Sequence, residues 1–113
     1  MLTREDIILL FLDDPEKLGN EIKNVRVPKS DEIRTLICEL GNPQCAYWYA
    51  NYIDVGPTDE TRTVCCKDPE EAYYYARFID RKETRETWLA VQNYRRIRDK
   101  YLARIRQKLL SDL

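Results

Sequence analysis

A unit of 26 residues occurs twice in this chain, and it restricts the fold more than any other feature. Pro43-Gln44-Cys45-Ala46-Tyr47-Trp48-Tyr49-Ala50-Asn51-Tyr52-Ile53-Asp54 is followed, 26 positions on, by Pro69-Glu70-Glu71-Ala72-Tyr73-Tyr74-Tyr75-Ala76-Arg77-Phe78-Ile79-Asp80. Self-similarity at a fixed period of this length marks a stacked repeat architecture. Asn42 and Asp68 can accept from the free N–H groups of a helix start, and Pro43 and Pro69 bring a preset φ and no N–H to leave unpaired. Each Asx-Pro pair therefore begins a helix, designated A. Ala46, Ala50 and Ile53, repeated by Ala72, Ala76 and Ile79, fall at i, i+4 and i+7, so two small groups and one large aliphatic group share a stripe that a neighbouring helix can approach closely.

Between the two copies, Thr58 caps a second segment, designated B, which carries Asp59 and Glu60 in its first turn, where the helix dipole favours them. Asp31 to Cys38 aligns with Asp59 to Cys66 at five identities in eight, 28 positions earlier. The repeat is thus a helix pair joined by short turns. Upstream, residues 3–13 form a first helix with Thr3 and Asp6 as a capping-box pair. Asp14-Pro15 starts a degenerate A helix to about Asn24, in which Leu18 and Ile22 keep the stripe and Gly19 weakens it. Residues 25–29 form an extended linker, and Ser30 caps the next B helix. From Thr84 to Leu113 there is neither glycine nor proline, and Trp88, Val91, Tyr94, Ile97, Tyr101, Ile105 and Leu109 recur at spacings of three and four. That pattern predicts one long amphipathic helix, with a bend expected near Asn93. The expected fold is all-α: a single domain over residues 1–113, built as a short right-handed stack of helical hairpins and closed by a long C-terminal helix, as terminal repeats require.

The string Glu60-Thr61-Arg62-Thr63-Val64-Cys65-Cys66-Lys67-Asp68-Pro69, followed by Ala72-Tyr73-Tyr74-Tyr75-Ala76 and Ile79-Asp80, resembles the Ala-Tyr-x-Tyr-Ala repeats of uncharacterised proteins of tailed bacteriophages. Those proteins are similar in alternating this motif with a Thr-Arg, small-residue, Cys-Lys-Asp-Pro segment. The resemblance covers about residues 31–90. It implies a phage or prophage origin and brings no activity with it.

Several classes of chemistry can be weighed directly. The chain has no histidine, so the usual general base at neutral pH is missing, and its three glycines form no phosphate-cradling pattern. Asp54 and Asp80 recur at the ends of A helices, where turn formation is the simpler reading. An enzyme is therefore not expected, and no cofactor is implied. Cys38, Cys45, Cys65 and Cys66 lack the paired spacing of a zinc site, and Cys38 and Cys66 occupy equivalent repeat positions, as small buried packing groups would. No metal is expected. No stretch is long and apolar enough for a membrane span, and the N-terminus has no cleavage-site pattern, so the bacterial host cytoplasm is the expected compartment.

Two surfaces remain as candidates. Eight of the twelve aromatics lie on the two short A helices. Three adjacent aromatics span about 200° of a helix, so not all of them can face inward. The candidate protein-binding residues are Tyr47, Trp48, Tyr52, Tyr73, Tyr74 and Phe78, because tyrosine and tryptophan dominate interface hot spots. Charge supplies the alternative: residues 1–80 hold 9 basic and 16 acidic side chains, whereas residues 81–113 hold 10 basic and 4 acidic. Arg95, Arg98, Lys100, Arg104 and Arg106 on the last helix are candidate phosphate contacts for a nucleic-acid-associated protein. The near-neutral overall balance disfavours nucleic acid. The leading expectation is a protein-binding module, a small phage-derived adaptor or inhibitor whose partner is an unidentified bacterial host or phage protein. Self-association is left open.

Overall fold

The computed structural model describes residues 1–112. It is all-helical, with no strand among the described residues. The helices are α1 (Arg4–Asp13), α2 (Pro15–Lys23), α3 (Asp31–Leu40), α4 (Pro43–Trp48), α5 (Asp59–Cys65), α6 (Pro69–Tyr74), α7 (Arg85–Val91) and α8 (Arg95–Ser111). Helices α4 and α6 each run on directly into a π-helical segment, Tyr49–Asp54 and Tyr75–Asp80. Consecutive helices pair as four hairpins, stacked into a body of 50 × 25 × 20 Å. Odd-numbered helices form the B layer and even-numbered helices the A layer.

The helix starts follow the capping chemistry of the sequence. Asp14, Asn42 and Asp68 each accept an N–H of the first turn with a proline at the next position, and Ser30, Thr58 and Thr84 cap the B helices in the same way. Thr3 and Asp6 form a reciprocal capping box.

The stack has a small core at each junction between hairpins. Leu18 and Ile22 of α2 meet Ile33, Leu36, Ile37 and Tyr49. Ala46 and Ala50 meet Val64, Cys65, Tyr75 and Ile79. Ala72 and Ala76 meet Val91 and Tyr101. The alanine stripe is thus the forward face of α4 and α6, and its small side chains let the next hairpin approach. Between B helices the junctions are polar: Thr35 donates to Glu60 at 2.9 Å and Thr63 donates to Glu86 at 2.9 Å.

In each of the last three hairpins one tyrosine ties the two layers together. The Tyr49 hydroxyl accepts from Ser30 N–H at 3.2 Å and donates to the Pro28 carbonyl at 2.9 Å. The Tyr75 hydroxyl accepts from Thr58 N–H at 3.0 Å and lies 2.7 Å from Thr61 Oγ1. Tyr101, a further 26 positions on, lies 2.8 Å from Thr87 Oγ1. Tyr49 and Tyr75 are fully buried, so each hydroxyl needs such partners.

That third tyrosine explains why the expected single helix over residues 84–113 does not form. The chain leaves the helix after Val91 and re-enters it at Arg95, with Tyr94 extended at the N-cap (φ −114°, ψ 92°). A continuous helix would hold Tyr101 about 20 Å from Thr87, at about 1.5 Å per residue. Folding α8 back against α7 buries Tyr101, Val91 and Thr87 together, and that gain breaks the helix where no glycine or proline marks it. Helix α8 is therefore the A helix of a fourth hairpin as well as the element that closes the stack. The closing follows from its residues. Arg98 and Leu102 stand 26 positions after Ala72 and Ala76, and a long charged side chain in place of alanine bars the close approach of a further hairpin.

An arginine–aspartate clamp fastens the two inner hairpins. Arg34 donates from Nε and Nη2 to the two carboxylate oxygens of Asp54, both at 2.7 Å, and Arg62 does the same to Asp80 at 2.9 and 2.6 Å. The Asp80 side chain is 0% exposed and Arg62 14%. The carboxylates hold both guanidinium pKa values above their ordinary position, mainly through these hydrogen bonds. Asp54 and Asp80, read from the sequence as turn formers, are the acceptors of these buried pairs. In the fourth hairpin both partners change: Trp88 takes the place of the arginine and Arg106 that of the aspartate. The Trp88 ring packs 5.8 Å from Tyr101, where Arg62 sits 5.7 Å from the Tyr75 ring.

Behind each clamp the backbone turns into the left-handed region, at Val55 (φ 52°) and Arg81 (φ 56°). A β-branched residue is strained there, by about 1–3 kcal/mol. Val55 is 76% exposed, so replacing it removes little packing. Val55→Gly is expected to stabilise the fold by about 1 kcal/mol after the added unfolded-state entropy of glycine, read as a higher denaturant midpoint; a lower midpoint would contradict the strain.

Candidate functional site

The repeat brings part of each candidate residue set onto one surface. Trp48, Tyr74 and Lys100 are equivalent positions 26 apart, and so are Tyr52, Phe78 and Arg104. These positions point away from the alanine stripe, and together they form the outer face of the A layer. It is aromatic over the second and third hairpins and basic over the fourth.

Within the aromatic part the rings touch in sequence. Tyr47 and Tyr74 have centroids 6.2 Å apart, Tyr74 and Phe78 6.3 Å, and Tyr73 and Tyr74 5.7 Å, all tilted. Such pairs reinforce one another and hold the band in a fixed shape. Tyr52 and Phe78 are 42% and 47% exposed, while Tyr47, Trp48 and Tyr74 are half-buried. Tyr73 departs from expectation. At 7% exposure it packs with Ala72, Ala76, Val91 and Tyr101, so it supports the band from beneath and offers no surface of its own. Burial, with Glu71 and neighbouring hydroxyls adding to it, pushes Tyr47 up to about 12. Its hydroxyl therefore stays neutral.

Trp48 is seated by a glycine. A Cβ on Gly19 would lie 1.9 Å from the Trp48 ring, so the position read as a weak point of α2 is the socket for the indole. Lys23, one turn further along α2, also lies over the ring, with Nζ 3.8 Å from the centroid. Arg77 lies in the same way over Phe78, at 4.9 Å, and also donates to the Tyr73 hydroxyl at 3.4 Å.

The basic part is a cleft between the π-helical end of the third hairpin and α8, lined by Tyr73, Arg77, Arg81, Lys82, Glu83, Tyr101, Arg104 and Lys108. Lys108 donates to the Arg81 carbonyl at 3.4 Å and pairs with Glu83 at 3.6 Å. The cations of α8 predicted as phosphate contacts do not share a face. At about 100° per residue, Arg95, Arg98 and Arg106 fall on one flank of the helix and Lys100 and Arg104 on the opposite one, with the buried Tyr101 between them. Arg98 also lies 3.7 Å from Asp99. Only Arg104 among the five lines the cleft. Lys23, Arg77, Arg81 and Lys82 were missed in the sequence, since they lie outside α8. Extending the repeat once more, through Tyr101, would have exposed the alignment.

Glu71 lies at the edge of this face. It stands where Cys45 stands in the preceding hairpin, and its Oε2 is buried without a hydrogen-bond partner. Burial, with Asp68 and Glu70 contributing, pushes its pKa up to about 7. The folded state therefore keeps a proton that the unfolded chain has lost between the ordinary glutamate value and about 7, and stability from this group rises as pH falls through that window. Melting temperature is expected to climb from pH 8 toward pH 5, and Glu71→Gln should flatten this climb and raise the pH 8 value. An unchanged pH profile in the variant would assign the dependence elsewhere.

All four cysteines are free. Burial pushes Cys45 up to about 11 and Cys38 and Cys66 up to about 12, and raises Cys65 as well. Cys45 and Cys65 are buried packing groups, whereas Cys38 and Cys66, expected to be buried, are only half-buried; the raised pKa values keep all four as thiols at neutral pH. No cluster of three or more metal-ligating side chains occurs among the described residues, and no described helix is long and apolar enough to cross a membrane.

No family model, curated protein or solved structure matches this chain.

Proposed function

We propose that this chain is a protein-binding module that docks through the outer face of its A layer. The observation that carries the reading is the run of Tyr47, Tyr74 and Phe78, partly exposed, packed ring against ring and backed by the buried Tyr73, with Trp48 and Tyr52 on the same face. Preorganised aromatic side chains lose little conformational entropy on binding, and they are the residue types that dominate hot spots. With the phage-like repeat motif, this supports a small phage-derived adaptor or inhibitor acting on a host protein in the bacterial cytoplasm.

Nucleic acid fits this face less well. Single strands bind by stacking bases on free aromatic faces, and here Lys23 and Arg77 already lie over Trp48 and Phe78. The cations of α8 are also divided between two flanks, which leaves no single track for a phosphate backbone.

The test is affinity capture from bacterial lysate, followed by titration of the purified partner. Tyr74→Ala and Phe78→Ala are expected each to weaken binding by about 2 kcal/mol, roughly 30-fold, with little dependence on salt. Captured nucleic acid in place of protein, or a partner indifferent to both substitutions, would refute the reading.

A further inference from the structure

The cleft at the basic end of this face has an unusual charge balance. Arg77, Arg81, Lys82, Arg104 and Lys108 line it against one carboxylate, Glu83, which Lys108 already engages. Among the described residues, Arg77, Arg81, Lys82 and Arg104 have no carboxylate within ion-pairing distance. The acidic residues of the chain could have served, since residues 1–80 carry 16 of them, yet none has been brought here. Like charges gathered without partners repel one another in the folded state, so their grouping is not explained by stability. The space they enclose is shallow, about 20 Å³ and open to solvent, so an anionic group meets these exposed cations at its mouth.

We propose that the cationic mouth of this cleft binds the carboxylates of an acidic segment of the partner protein. The proposal rests on the protein-binding reading of the same face and specifies the chemistry of the partner. Arg77 provides the continuity. Its guanidinium borders the cleft, lies over Phe78 and donates to Tyr73, so a chain with its acidic groups at the mouth of the cleft passes directly onto Phe78, Tyr74 and Tyr47. Adjacent helices of a layer lie about 8–10 Å apart, so the path from α8 across α6 to α4 is about 20 Å. An extended chain covers that in about six residues at roughly 3.3 Å each. The partner segment is therefore an acidic cluster followed within about six residues by apolar or aromatic side chains.

The experiment uses the full chain and a fluorescein-labelled peptide of four glutamates followed by Phe-Leu-Phe, read by anisotropy at low and at moderate salt. The controls are the same peptide with glutamine for glutamate and a deoxythymidine oligonucleotide of 12 residues. The wild type is expected to bind the glutamate peptide at least about tenfold more tightly than the glutamine peptide or the oligonucleotide. Arg81→Gln with Arg104→Gln should abolish that preference, and Lys29→Gln, on the linker ahead of α3, should leave it intact. Thermal melts of the double variant should match or exceed the wild type, since repulsion is relieved. Equal binding of the glutamate and glutamine peptides, or a preference that survives the double substitution, would overturn the anion site while leaving the aromatic face to be judged by Tyr74→Ala. Tighter binding of the oligonucleotide would overturn the anion site in favour of phosphate and count against the protein-binding reading too.

Discussion

Arg62→Met is expected to destabilise the fold by about 3–5 kcal/mol, because it leaves the fully buried Asp80 carboxylate without its bidentate partner. For a chain of this length that is a large share of the whole stability. The double variant Arg62→Met with Asp80→Leu should recover most of the loss, since removing both charges also removes the cost of desolvating them. The fourth hairpin is the natural precedent. There Trp88 and Arg106 replace the pair, and the Trp88 ring covers the layer-bridging tyrosine instead. Urea midpoints of the single and double variants measure the coupling; a double variant no more stable than Arg62→Met would mean that the clamp contributes beyond charge compensation.

Ala50→Leu should cost about 1–3 kcal/mol, because Ala50 is 0% exposed and faces Val64, Cys65, Tyr75 and Ile79 at a closely packed junction. The same repeat position at the end of the stack supplies the control. Leu102 is 38% exposed, with no hairpin packed on it among the described residues, so Leu102→Ala should change stability by less than about 1 kcal/mol. The two substitutions exchange the same pair of residue types in opposite directions. A larger loss from Leu102→Ala than from Ala50→Leu would mean that the forward face of α8 is packed like the inner junctions.

Much of this architecture was legible in the residues. Asn42-Pro43 and Asp68-Pro69 start helices because capping and a fixed φ are local properties, and the alanine stripe announces a close contact whatever lies opposite. Three features were not legible, each for a physical reason. The π-helical segments at Tyr49–Asp54 and Tyr75–Asp80 depend on a hydrogen-bond register that no side-chain pattern encodes. Among Tyr73, Tyr74 and Tyr75, only the packing of the neighbouring hairpins decides which is buried, which anchors the layers and which meets Phe78. A bend was expected near Asn93, but its depth, a full break at residues 92–94, is set by a tertiary gain, the burial of Tyr101 against Thr87, which outweighs a helix-compatible local sequence. The candidate face was read as two sets, aromatic and basic, and the 26-residue register carried on through Tyr101 places Lys100 and Arg104 at the repeat positions of Tyr74 and Phe78.

The most direct measurement is site-specific photo-crosslinking inside a bacterial host, with a photoreactive phenylalanine at position 78 or 104 on the A-layer face, or at position 39 on the B layer. Protein adducts of one common mass are expected from positions 78 and 104 and none from position 39. Adducts from position 39 alone, or crosslinks to nucleic acid from position 104, would contradict the assignment of the A-layer face as a protein-docking surface.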